Sequence, residues 1–224
     1  MSRTRYHTGH LVMAILVFGS LWGMSEVALG GGLAAVGFPY RSALLTGIGM
    51  GILALAFAMS RNIPMLLGAG AVAAAVNLLG VPIMHLTVAC KANACLAVFI
   101  EGGSLSLMAA VLMKRRWSNA FTRSAAGAGA ALLASTGFYL AGMHVAPCPY
   151  LLSFGNVGGF VVREGLIWAG FAAVLVPLGY MVGQRLAERF PLEAWGRPLV
   201  FYAVNTGIIA SAIGVSSLAI TIGL

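Results

Sequence analysis

Glu26 and Glu101 lie inside apolar stretches long enough to cross a bilayer. A carboxylate at the centre of a membrane costs roughly 3 kcal/mol even on lenient scales. It therefore persists where it faces a cavity, a partner charge or a ligand. Trp22 precedes Glu26 by four residues, so the two side chains share one helical face. Acids in such a setting suit the capture of a cation or a hydrogen-bond donor, with an aromatic wall from Trp22 or Tyr40. Asn77 sits in a third apolar stretch, and His85 at its outer edge. Arg41, Lys91, His144, Asn156, Arg163 and Glu164 fall on connections between the apolar stretches. The competing reading is structural: Glu26 or Glu101 pairs with Arg41, Lys91 or Arg163 and pins a loop.

Acid–base catalysis finds no further support. The chain has no HExxH, no nucleophile elbow and no paired-cysteine redox motif, and Ser25 and Ser104 lack a well-placed histidine. No catalytic residue is assigned, and an enzyme is not expected. A P-loop, a TVGYG-like filter and an arginine-rich voltage-sensing span are also missing. His85, Cys90, Cys95, His144 and Cys148 would form a mixed external metal or haem site. However, the C-x4-C spacing is not the strong C-x2-C pattern, and C-x-x-C-H is absent. No metal and no cofactor are expected. On an oxidising face a Cys90–Cys95 disulfide is expected instead, with Cys148 as the alternative partner.

The elements that position these residues follow from composition. The chain is 60% hydrophobic and 8% charged, against about a quarter charged in soluble domains. It reads as an all-α polytopic transmembrane bundle of six to seven spans, forming a single integral membrane domain over 1–224. Candidate spans are 10–29, 42–60, 64–86, 95–113, 124–143, 165–183 and 198–222. Pro64 suits a first helical position, and Pro82 is expected to bend or end the third span. The stretch 144–164 is broken by Pro, Gly and Asn and reads as a re-entrant or capping loop. Segment 30–41, with three glycines and a bulky Phe38–Pro39–Tyr40 tip, reads as a hinged lid or a plain connector.

The net charge of +8 does not indicate nucleic-acid binding, because the basic residues lie between spans. Arg3, Arg5, Arg61, Lys114, Arg115, Arg116, Arg123, Arg185, Arg189 and Arg197 fall on one side, and Arg41, Lys91 and Arg163 on the other. This bias places the N-terminus in the cytoplasm of a bacterial-type plasma (inner) membrane. Nearly all the polar residues of interest then collect at the outer side, around a pocket open to the outside. Small residues are dense in several spans, among them Gly19 and Gly23, Gly47 to Gly51, Gly68 to Ala71 and Ala125 to Ala131. They pack helices within the chain or against another subunit.

The segments LWGMSEVALGGGLAAVGFPYRSALLTGIGMGILALA (21–56), AAVNLLGVPIMHL (74–86) and AVFIEGGSLSL (97–107) resemble the substrate-binding (S) component of energy-coupling factor (ECF) transporters over roughly the first half of the chain. The resemblance implies capture of a vitamin or a similar small metabolite, with Glu26, Asn77 and Glu101 as ligand contacts and 30–41 as the gate. It also implies a membrane coupling subunit and ATPases as partners. The chain departs from that pattern in its span count, and in having Gly19 and Gly23 where an A-x-x-x-A face is expected. Trp22, Tyr40, Arg41 and His85 complete the expected ligand-binding set. The rival function is an integral anchor subunit of a larger respiratory or assembly complex.

Overall fold

The computed structural model describes residues 8–85, 88–112, 119–189 and 198–224. Within them the regular structure is entirely helical, and seven helices are long and apolar enough to cross a membrane. These are α1 (Thr8–Ala35), α2 (Arg41–Ser60), α3 (Pro64–Met84), α4 (Val88–Leu112), α5 (Ala120–Val145), α6 (Val157–Arg189) and α7 (Leu199–Thr221). Arg3, Arg5, Lys114, Arg115, Arg116, Arg197 and the side chain of Cys90 lie outside the described residues.

Six helices close a ring in the order α1, α3, α4, α5, α6, α2, and α7 packs outside it on α1. Two-thirds of the apolar stretch of α2 is buried (67%), against 17% for α7. The expected range of six to seven spans thus resolves into a six-helix bundle with one flanking helix.

Glycines let these helices approach closely. A side chain at Gly19 or Gly23 would overlap Val72 or Val76 of α3, and one at Gly47 would overlap Phe171 and Leu175 of α6. Gly179 abuts the backbone of Gly51, and Gly127 lies against the carbonyl of Ala172. The small-residue stripes are therefore consumed inside the bundle. Gly19 and Gly23 in particular seat α3 and do not form a free docking face.

The boundaries differ from the sequence expectation in two places. First, α1 runs through Gly30–Gly32 to Ala35, so the glycine triplet is helix and not hinge. The connector is only residues 36–40, and Gly37 supplies its left-handed turn at φ 65°. Gly30 is buried against Leu45 and Gly31 packs on Leu224, so these two serve close packing. Second, 144–164 is not a long loop. α5 continues to Val145, a short helical turn covers Pro149–Leu152, and α6 begins at Val157. Asn156 starts α6 as its N-cap, accepting from the Gly159 amide at 2.8 Å. Arg163 and Glu164 are accordingly helical residues. Pro64 does occupy the first turn of α3, and that helix ends just beyond Pro82, at His85 (φ 53°).

Successive helices alternate in direction. The 36–40 connector, the end of α3 at His85, the start of α4 and the 146–156 connection therefore meet at one end of the bundle together with the last residues of α7; we call this the cavity end. At the opposite end the guanidinium groups of Arg61 and Arg123 lie over the ring of Tyr180, at 5.3 and 4.2 Å from its centroid.

Candidate functional site

A cavity of about 640 Å³ opens at the cavity end, and all six ring helices contribute to it. Beneath it Trp22 is fully buried in the hollow left by Gly49, and a Cβ at Gly70 would come 3.5 Å from the far edge of its ring. Beside it α3 and α4 cross at Gly70 and Gly102, where a side chain on Gly102 would come within 3.2 Å of the Gly70 Cα. The two glycines make this close crossing next to Glu101.

Three carboxylates line the cavity, and the whole chain has only five acidic residues. Glu101 is 3% exposed; its Oε1 accepts from Thr46 Oγ1 at 2.8 Å, and its Oε2 is buried with no hydrogen-bond partner. Glu26 accepts from Trp22 Nε1 at 3.2 Å, as the four-residue spacing predicts, and it interacts electrostatically with Glu101. Glu164 accepts from Ser42 Oγ at 3.2 Å, and Ser42 in turn accepts from Trp168 Nε1 at 3.3 Å. The donors described for the three acids are thus neutral groups. Glu26 and Glu164 each sit in a π-turn, Ser25–Leu29 and Val161–Gly165. A π-turn inserts one residue into a helix and re-aims the side chains around it.

Other polar groups converge on the same space. Asn77 is buried, lines the cavity and donates to the Ala73 carbonyl at 3.3 Å. Asn93 donates to the Ala146 carbonyl at 2.9 Å, while its Oδ1 is buried without a partner. Tyr150 leans over the site beside Glu164 and Ser42. Although the residue is 45% exposed, partial burial and then the adjacent Glu164 carboxylate push its phenol above the usual tyrosine range. Phe38, Phe138 and Trp168 supply aromatic surface, Phe38 and Pro39 line the cavity from the 36–40 connector, and Arg41 and Lys91 line it from the cavity-end termini of α2 and α4, which we call the rim. A side chain at Gly80 would meet Lys91 Cε at 2.7 Å, so that glycine makes room for the lysine stem.

Of the residues expected from sequence, Glu26, Glu101, Asn77 and Arg41 line one cavity. Trp22 is not in the lining; fully buried beneath it, Trp22 donates to Glu26. Tyr40 is also absent from the lining; it is 49% exposed and braces Phe38 edge-to-face at 6.2 Å. His85 is an exposed helix terminus. Thr46, Asn93, Tyr150, Phe138 and Trp168 went unrecognised in the sequence. A threonine or an aromatic residue in an apolar helix carries no signal until its partner, such as Glu101 for Thr46, is placed.

Cys95 is a free thiol whose Sγ lies 3.5 Å from the Ala74 carbonyl, and Cys148 is also free. The expected Cys90–Cys95 disulfide is not formed, and neither is a bridge from Cys95 to Cys148. Positions 90 and 95 belong to one helix, where five residues mean about 7.5 Å of rise and a turn of roughly 140°. That separation exceeds disulfide reach. Among the described residues no group of three His, Cys, Asp or Glu could hold a metal ion. No protein-family model, curated protein or solved structure matches the chain.

Proposed function

We propose that this chain is the substrate-capture component of a transporter, taking a small polar or cationic metabolite, such as a vitamin or its precursor, from the outer side of a bacterial-type plasma membrane. The observation that carries this reading is the buried, unpartnered Glu101 Oε2 facing a cavity of about 640 Å³. Leaving a buried acceptor unpaired costs about 1–3 kcal/mol, and more if it is charged. A ligand donor at this atom removes that cost, so the site is organised for an occupant. The cavity volume lies within the range typical of small-molecule sites, about 300–1,000 Å³. With the basic end in the cytoplasm, the cavity faces outward.

In this mechanism the ligand enters past Phe38 and Pro39, donates to Glu101 and Asn93, and is flanked by Glu26 and Asn77. Delivery inward needs a partner: a membrane coupling subunit with ATPases, as the ECF resemblance implies. No catalytic step is assigned to the chain. Native mass spectrometry of the gently extracted protein tests the reading. A small molecule retained by wild type and lost in a folded Glu101→Gln variant is expected. Equal retention by both sinks the assignment of Glu101, and tightly bound protein subunits with no small molecule favour the anchor-subunit function.

A further inference from the structure

The charges in the cavity are segregated along its depth. All five charged residues line it: Glu101 and Glu26 lie well inside their helices, whereas Arg41 begins α2, next to the Ser42 that binds Glu164, and Lys91 lies in the first turn of α4. Arg41 is the first residue of α2, and Thr46, which holds Glu101, is five residues further in, about 7.5 Å along the axis. Lys91 and Glu101 are ten residues apart on α4, about 15 Å. The rim thus carries two cations against one carboxylate, and that carboxylate is already engaged by Ser42. The base carries two carboxylates and the unpartnered Glu101 Oε2. Lys91 is half-buried with its stem packed over Gly80, which ties it to the cavity wall.

Resting on the capture reading above, we infer that the ligand is amphoteric. A donor-rich cationic head would go down against Glu101 and Glu26, and an acidic group (carboxylate or phosphate) would go up against Arg41 and Lys91, roughly 7–15 Å away. A simple cation satisfies the base but leaves the two rim cations repelling it on entry. A simple anion satisfies the rim but leaves Glu101 Oε2 unpaired. Only a molecule with both groups meets each end with its complement.

The test uses the full chain in detergent and, as probes, protein-free extract of the cells that carry it, separated by ion exchange into cationic, anionic, amphoteric and neutral fractions. The readout is the shift in unfolding temperature. The expected result is the largest shift from the amphoteric fraction, reduced by more than half in both Arg41→Gln and Lys91→Gln. The unliganded variants are checked separately for a wild-type unfolding temperature. A shift confined to the cationic fraction and unchanged in these variants overturns the amphoteric assignment while leaving capture intact. A shift from the anionic or neutral fraction alone also overturns it. No shift from any fraction overturns both.

Discussion

Gly49→Ala is expected to damage the base of the cavity, while Gly32→Ala is expected to be harmless or mildly stabilising. Both glycines are helical. A Cβ at Gly49 falls on the Trp22 indole nitrogen, with Trp22 Cδ1 only 3.0 Å away, whereas a Cβ at Gly32 meets nothing within 4 Å. Trp22 is fully buried, so its ring has no open space to swing into. Overpacking of this kind costs about 1–3 kcal/mol. Losing the Trp22–Glu26 hydrogen bond adds about 1 kcal/mol. At Gly32 the change removes backbone freedom from the unfolded chain, a gain of about 0.4–1 kcal/mol. Reversible unfolding in mixed micelles, followed by circular dichroism, measures both. Tryptophan emission should shift in Gly49→Ala and stay unchanged in Gly32→Ala. Equal stability of the two variants would refute the packing argument and, with it, the placement of Glu26.

Three further outcomes are expected. Thr46→Val keeps the side-chain shape but strips Glu101 of its only described donor, so stability falls by about 1–3 kcal/mol; an unchanged unfolding midpoint would show that the 2.8 Å bond contributes nothing. Tyr150 has its ionisation pushed upward, so its contribution to stability is present below the ordinary tyrosine value of about 10 and declines only as pH rises past it. In an ultraviolet titration, Tyr150→Phe should therefore match wild type up to pH of about 10, and a tyrosinate step below that value present in wild type but lost in the variant would contradict the upward shift of this phenol. Alkylation without reductant should label Cys95 and Cys148, because both are free; a recovered Cys90–Cys95 cross-link would overturn the start of α4.

The architecture was legible because hydrophobic length is a coarse and sufficient signal: seven apolar runs became seven helices. Their ends were harder to place, because local breakers have more than one use. Asn156 reads as a loop residue but caps a helix, and Gly30–Gly32 read as a hinge but are helical, with Gly30 and Gly31 closely packed. Glu26, Asn77 and Glu101 were legible as site residues because polar groups in hydrocarbon need a reason to be there. Their partners were not. Thr46 is 55 positions from Glu101 and Ser42 is 122 from Glu164, and nothing local marks either pairing. The two π-turns that carry Glu26 and Glu164 left no readable mark in the sequence.

The most direct measurement is a density map of the protein purified from its own membranes under mild conditions. The account predicts non-protein density in the cavity within about 3 Å of Glu101 Oε2 and Asn93 Oδ1, the reach of a hydrogen bond, and extending toward Arg41 and Lys91. A map in which both oxygens are satisfied by the protein's own side chains, with no occupant, would contradict it.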